Sequence, residues 1–227
     1  MRIELDFLAV LAEWPLLLTG VGWTLALTLA AVAVGMLLGI TCAWVRARGF
    51  GAGLAPKWLQ AVVGAYVELI RNTPFIVQLF FIFFGLPAAG FRLSAEAASF
   101  IAMVINLGAY ATEIIRAGLE ATPKGQMEAA ASLALNRVQT FFYVVLVPAL
   151  RKVWPSIVSQ IIIVMLGSSV CGQISTPELS YAADLVHSRN FRSFEAFIVV
   201  GLIYLGLSMV MRHVLNWAGA RFLFGRR

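Results

Sequence analysis

Long apolar runs, separated by short groups of charged residues, make up most of the chain. No charged residue occurs in residues 14–45 or 153–177, and three further runs contain only two acidic, basic or histidine residues each. A helix of about 20 apolar residues crosses the hydrocarbon core of a bilayer. The pattern therefore predicts an all-α membrane protein with about five transmembrane helices. We expect one transmembrane domain over residues 1–227, with a long loop at 120–148 and spans at 15–45, 58–86, 97–119, 149–177 and 194–220.

The basic residues are divided unequally between the two sides of this arrangement. Alternate loops place 13 of the 17 Lys and Arg residues on one face. The other face receives four, Arg2, Arg92, Arg189 and Arg192. Cytoplasmic loops carry the excess of Lys and Arg in membrane proteins. We therefore expect the C-terminus and the 120–148 loop in the cytoplasm and the N-terminus outside.

Composition supports a membrane protein and excludes several other classes. Hydrophobic residues make up 61% of the chain and charged residues 12%, against about 25% charged residues in soluble domains. The net charge of +6 does not indicate a nucleic-acid partner, because the basic residues lie at the ends of apolar runs. Cys42 and Cys171 lie in apolar segments without a nearby Cys or His. We expect two buried free thiols rather than a metal site or a disulfide.

The 120–148 loop is too long for a simple connection and contains strong helix formers over residues 127–135. Asn136 and Arg137 interrupt this stretch, and a second apolar stretch follows up to Pro148. The pattern predicts a short surface helix, a turn and a second short helix that leads into the fourth span. Such a loop either packs against the spans of its own chain or docks into a partner.

Glu128, Ala129, Ala130, Ala134 and Pro148 carry a resemblance to a known family. In this order they are similar to the EAA loop in the permease subunits of bacterial ABC importers, which usually have Gly where this chain has Ala134. Residues 68–74, 77–80, 108–118 and 124–126 resemble the polar amino acid branch of that family. The resemblance extends in order over residues 23–217.

The resemblance implies a type I ABC importer permease fold in the bacterial inner membrane. It also implies a pair of ABC ATPase subunits, a second permease chain, identical or paralogous, and a periplasmic or lipid-anchored amino-acid-binding protein. The chain has no G-x-x-x-x-G-K-[ST] phosphate loop, so ATP and Mg²⁺ are expected on the ATPase subunits and no cofactor on this chain. Residues 125–135 would form the coupling helix, and the loop at 178–192 would meet the binding protein. The expected coupling residues are Gly125, Glu128, Ala129, Ala130 and Ala134.

Several polar residues in the spans are candidates for a substrate pathway, namely Thr73, Pro74, Gln78, Asn106, Tyr110, Glu113, Ser168 and Ser169. Pro74 breaks the second span, and such breaks occur where protein or a water-filled cavity covers the backbone. A simple kink, with Gln78 bonded to a neighbouring helix, is the alternative. Glu113 is expected to pair with Arg116 three residues later; binding of a substrate amino group is the alternative.

The fourth span contains a Gly- and Ser-rich segment over residues 166–173. Related amino acid permeases have Lys-Asp where this chain has Leu166 and Gly167, and residues around that pair line their substrate site. The missing carboxylate weakens an assignment to arginine, lysine or histidine. Close helix packing by Ser168 and Ser169 is the alternative to a substrate site.

These features predict the membrane subunit of an ATP-driven importer for a polar amino acid, without enzymatic activity of its own. A secondary transporter driven by an ion gradient is the alternative. It predicts acidic or His residues deep in the spans and an internal repeat, and neither is evident in the sequence. A sensor or assembly subunit would explain the apolar spans but not the order of the permease-like motifs.

Overall fold

The computed structural model describes residues 5–47 and 55–223. Four of the 17 basic residues that were divided between the two faces lie outside these ranges, namely Arg2, Arg48, Arg226 and Arg227. Every regular element in the two described ranges is helical, as the apolar pattern predicts. In chain order the helices are α1 (Phe7–Leu11), α2 (Trp14–Arg46), α3 (Lys57–Arg71), α4 (Phe75–Phe80), α5 (Ala95–Glu120), α6 (Lys124–Ser132), α7 (Val147–Gly167), α8 (Leu179–Asn190) and α9 (Ser193–Ala218).

Three of these helices continue into tighter or wider helical turns. α4 passes through the π-helical stretch Phe81–Gly85 to a last turn at Leu86–Ala88. A short turn at Arg137–Gln139 and a π-helical stretch at Thr140–Leu146 lead into α7, and the 3₁₀ segment Ser168–Ile174 follows it. The π-helical turn Gly219–Leu223 extends α9.

Four helical runs of the described chain are long and apolar enough to cross a membrane, namely Trp14–Arg46, Ala95–Glu120, Arg137–Ile174 and Ser193–Leu223. The bent pair Lys57–Arg71 and Phe75–Ala88 becomes a fifth when it is counted as one span. The prediction of an all-α protein with about five spans is confirmed. Their orientation in the membrane stays a prediction.

The break in the second span lies where Pro74 predicts it. α3 ends at Arg71, and the next helix begins at Phe75. The side-chain amide of Asn72 donates to the carbonyl of Glu68 (2.8 Å), and the Thr73 hydroxyl donates to that of Leu69 (2.8 Å). These two side chains bond carbonyls in the last turn of α3, where helical N–H partners run out.

The helix of the fourth span starts earlier than predicted. The sequence suggested a separate short helix before a span at 149, but one helical run extends from Arg137 to Ile174. Asn136 starts it with a capping box, in which its side chain accepts from the Gln139 N–H and the Gln139 side chain accepts from the Asn136 N–H. Pro148 does not end the run, because it follows a π-helical stretch whose hydrogen-bond pattern is already shifted.

The chain divides into two compact units. The first comprises Met1–Ala31, Phe75–Met103 and Ile162–Met211. Its apolar core joins α1, α2, α8 and α9 through Val10, Leu17, Leu179, Ala182, Ala183, Val186, Ala196 and Val200. Because these side chains are almost completely buried, α8 is fixed as a packed helix rather than a loop.

The second unit comprises Val32–Pro74, Val104–Ile161 and Arg212–Arg227. In it, α2 and α5 approach closely along Gly35 and Gly39, one helical turn apart. A Cβ atom at Gly39 would lie 2.5 Å from the Cβ of Ala111, and one at Gly35 would lie 3.1 Å from Leu107. Small residues spaced four apart allow the backbones of two membrane helices to come into close contact. This contact holds α5, which carries the pathway candidates Asn106, Tyr110 and Glu113, against α2.

Candidate functional site

The predicted coupling residues lie on α6 and in the turn that ends it. α6 starts after Pro123, and it closes with the Leu135 N–H donating to the Ala130 carbonyl (3.1 Å) and the Ala134 N–H donating to Ala131 (3.0 Å). This pair of bonds is a Schellman motif, which needs a left-handed residue at the position of Ala134. Ala134 takes that conformation, with φ 51°. The turn expected from glycine is therefore formed by an alanine.

α6 has one buried and one exposed side. Ala130 is 2% exposed, and α6 packs against the π-helical stretch Thr140–Leu146. Gly125, Glu128 and Ala129 are exposed on the rest of the helix. Leu133, the residue after the helix, is 74% exposed. One side of α6 therefore packs against its own unit, and the other side is exposed and ends in the apolar side chain of Leu133.

Glu113 lies at the centre of a cluster of arginines in the second unit. Its carboxylate binds Arg46 of α2 and Arg116 of α5, the latter at 2.8 Å, and Arg71 of α3 lies 4.0 Å away. Arg116 also binds Glu120 at 2.6 Å. The predicted pairing with Arg116 is present, and one carboxylate joins three helices.

Sequence reasoning missed Arg46 and Arg71 as partners of Glu113. The division of basic residues between alternate loops places Arg46, Arg71 and Arg116 on the same face. This shared face was the signal from which their proximity could have been predicted. The guanidinium of Arg71 lies 5.5 Å from the centre of the Tyr110 ring and close to Glu113. An aromatic face attracts a guanidinium, so α3 and α5 meet through this stack.

The pathway candidates of the second unit are brought together only in part. Asn106, Tyr110 and Glu113 follow one another along one face of α5 at helical spacing. Tyr110 and Glu113 both meet Arg71. Thr73 directs its hydroxyl to the Leu69 carbonyl, and Pro74 lies in the break between α3 and α4.

Gln78, Ser168 and Ser169 belong to the first unit. Gln78 is 8% exposed on α4, which contacts the 3₁₀ segment that starts at Ser168. The Ser168 hydroxyl donates to the Met165 carbonyl (2.6 Å), and that of Ser169 donates to Leu166 (2.7 Å). α7 changes from α-helical to 3₁₀ geometry at the Gly- and Ser-rich segment. The sequence predicts a low stability of the α-helix there.

Glu178 is buried, although the sequence suggested an exposed loop there. Its side chain is inaccessible to solvent and caps α8 by accepting from the N–H groups of Ser180 (2.9 Å) and Tyr181 (2.8 Å). The Tyr204 hydroxyl donates to the same carboxylate. Burial raises the pKa of Glu178, and these three donors offset part of the increase. No local signal links Glu178 with Tyr204, so only packing reveals this site.

The chain is similar to a known protein family, to individual proteins and to a solved structure. Residues 35–223 match the family described as binding-protein-dependent transport system inner membrane component. The chain is 36% identical over 198 residues to a probable glutamine ABC transporter permease protein of Bacillus subtilis, covering 87% of this chain and 89% of that protein. It is 33% identical over 216 residues to the glutamine transport system permease protein of Escherichia coli, covering 94% and 96%. It also resembles a crystal structure of an amino acid ABC transporter with histidines, with a TM-score of 0.85 and 32% identity over 97% of this chain and 100% of that chain.

Proposed function

Because the chain belongs to the family of binding-protein-dependent transport system inner membrane components, we propose that it imports a polar, uncharged amino acid and is driven through α6. It is the multi-pass membrane subunit of an ATP-driven importer of the bacterial inner membrane, and separate subunits hydrolyse the ATP. The substrate and the route of coupling are our proposals.

Two observations support an uncharged polar amino acid as the substrate. Two relatives are named as glutamine permeases, and Gly167 stands where related permeases carry an aspartate. A Cβ atom at Gly167 would meet nothing within 4 Å beyond its chain neighbours and its own helix backbone, so the described structure leaves open space where those permeases carry the carboxylate. A cationic substrate would find no charge partner at this position.

The exposed side of α6 is the observation that carries the coupling proposal. Glu128, Ala129 and Leu133 are all exposed there, and Leu133 offers an apolar side chain that its own unit leaves uncovered. Buried apolar anchors surrounded by polar groups are typical of protein interfaces. The ATPase subunit docks on this side, and the opposite side transmits its movement through Ala130 to the π-helical stretch before α7.

The other partners follow from the family, which implies a binding protein and a second permease chain. In this proposal the second permease is identical or paralogous, and the binding protein is periplasmic or lipid-anchored. It docks at the end of α8, where Phe191 is 83% exposed and Phe194 62% exposed. Glu178, at the start of the loop that was expected to meet the binding protein, is buried and is therefore not part of this docking surface. ATP and Mg²⁺ bind to the ATPase subunits.

Reversing the charge of Glu128 tests the coupling surface. The full chain carrying Glu128→Lys is purified with its ATPase subunits and reconstituted in liposomes with the binding protein. We expect ATP-dependent glutamine uptake to fall roughly tenfold, because a docking contact is replaced by a repulsive one. Glu96→Lys in the first turn of α5 makes the same charge change and should leave uptake near the wild-type rate.

Two measurements separate the parts of this proposal. The amount of ATPase that copurifies reports docking, and the ratio of uptake to ATP hydrolysis reports coupling. If Glu128→Lys changes neither, α6 is not the docking surface, whereas the family assignment is unaffected. If the wild-type transporter takes up arginine as readily as glutamine, the substrate proposal is wrong and the coupling proposal stands.

A further inference from the structure

A polar cavity lies within the second unit beside the Glu113 cluster. Its volume is about 500 Å³, and it is lined by Arg46, Gln60, Ala61, Arg116 and Glu120. The lining residues come from α2, α3 and α5. The cavity is within the range of roughly 300–1,000 Å³ that is typical of small-ligand sites. It is therefore large enough for more than a bound water or a single ion.

The charges around this cavity leave an excess of one positive charge. Arg46, Arg71 and Arg116 contribute three positive charges, and Glu113 and Glu120 contribute two negative ones. The ion pairs fix the guanidinium groups in place, because each is held by at least one carboxylate. A guanidinium has five N–H donors in a planar fork, which suits a phosphate or carboxylate group. The wall is prearranged for a ligand with one net negative charge.

The cavity also lies at the ends of two membrane helices. Arg46 is the last residue of α2, and Glu120 is the last residue of α5; both helices are apolar enough to cross a bilayer. Trp58, two residues before Gln60, is 67% exposed, and tryptophan is enriched at the level of lipid headgroups. Helix ends and an exposed tryptophan are typical of headgroup depth, and basic pockets between membrane helices at that depth bind anionic headgroups.

We propose that this cavity binds the phosphate group of an anionic phospholipid headgroup, held by Arg46 and Arg116. The phosphate accepts hydrogen bonds from the two arginines and does not occupy the oxygen acceptors of Glu120 and Gln60. The glycerol hydroxyls of a phosphatidylglycerol headgroup donate to these two residues. A lipid in this position links α2, α3 and α5 where the arginine cluster joins them. The site does not depend on which substrate the protein transports.

Retained lipid on the purified full chain tests the site. The chain is incubated in detergent with equal amounts of phosphatidylglycerol and phosphatidylcholine, and the bound lipids are counted by mass spectrometry of the intact complex. We expect wild-type protein to retain phosphatidylglycerol preferentially. Ala61→Phe fills the cavity without changing a charge and should lower this retention roughly tenfold. Val62→Phe, on the neighbouring exposed position, should retain lipid like the wild type.

Two charge variants keep the test decisive if Ala61→Phe does not fold. Gln60→Glu adds a negative charge to the wall and should lower the retention of phosphatidylglycerol, whereas Glu120→Gln removes one and should raise it. Opposite changes in these two variants support the site. Equal retention in Gln60→Glu, Glu120→Gln and wild-type protein overturns it. A thermal stabilisation by inorganic phosphate that equals that by phosphatidylglycerol overturns the assignment to lipid.

Discussion

The hydroxyl of Tyr204 donates a hydrogen bond to the carboxylate of Glu178, 26 residues earlier in the chain. The bond joins α9 to the start of α8. Glu178 also accepts from two backbone N–H groups of α8, so one buried side chain satisfies three donors. A buried donor that loses its acceptor is destabilising by about 1–3 kcal/mol. Glu178 therefore has a structural role in the first unit.

Glu178→Ala is expected to lower the free energy of unfolding by about 3 kcal/mol, because it removes the helix cap together with the acceptor of Tyr204. Tyr204→Phe removes one donor only and should lower it by about 1 kcal/mol. Thermal unfolding of the detergent-solubilised chain measures both. Equal effects of the two variants would show that the backbone donors of α8 do not depend on Glu178.

The stability of the protein should also depend on pH through Glu178. Burial raises its pKa above the ordinary value of 4.5, so the folded state binds this proton more tightly than the unfolded chain. The corresponding stability is complete below pH 4.5 and is lost as the pH rises through the folded-state pKa. Glu178→Gln cannot titrate. The difference in Tm between wild type and Glu178→Gln should therefore move in favour of the wild type on acidification; a difference that stays constant contradicts this.

Ala134→Gly should stabilise the end of α6. Ala134 has a φ of 51°, and the left-handed conformation is unfavourable by roughly 1–2 kcal/mol for a residue with a Cβ atom. We expect a gain of about 1 kcal/mol in the free energy of unfolding of the second unit. Ala131→Gly, inside the same helix, is the matched control and should lose about 1 kcal/mol. A loss with both variants would mean that the turn does not need a left-handed residue.

Gly39→Ala should separate α2 from α5. Its new Cβ atom would lie 2.5 Å from that of Ala111, and such overpacking is destabilising by about 1–3 kcal/mol. Gly64→Ala on α3 meets nothing within 4 Å and should be neutral or slightly stabilising. The midpoints of thermal unfolding compare the two variants. Equal midpoints would rule out a close contact of α2 with α5 at Gly39.

Gly167→Asp should change the substrate preference. It restores the carboxylate that related permeases have at this position, where a Cβ atom meets nothing within 4 Å beyond its chain neighbours and its own helix backbone. We expect the ratio of arginine to glutamine uptake to rise roughly tenfold, because a cationic side chain gains a partner. Gly167→Asn has the same shape without the charge and should leave the ratio unchanged. An equal rise in both variants would assign the effect to shape.

The spans and the break at Pro74 could be predicted from the sequence alone. The thickness of the bilayer sets the length of an apolar run whatever it packs against, and a proline removes a helical donor in any surroundings. The EAA-type loop was also recognisable, because its residues lie within about 20 positions of one another. The two ends of α6 can likewise be predicted from neighbouring residues in the sequence. The left-handed conformation of Ala134 cannot be predicted in this way.

Only the tertiary structure decided which charged groups meet. Arg46, Arg71 and Glu113 lie on three different helices, and Glu178 meets Tyr204 across two. The energy of an ion pair or a buried hydrogen bond depends on distance and on the exclusion of water. Both are set by how helices pack, as where Gly39 lets α2 approach α5. The sequence by itself determined that this protein spans a membrane and depends on partners for energy, while packing decided the arginine cluster, its cavity and the buried Glu178.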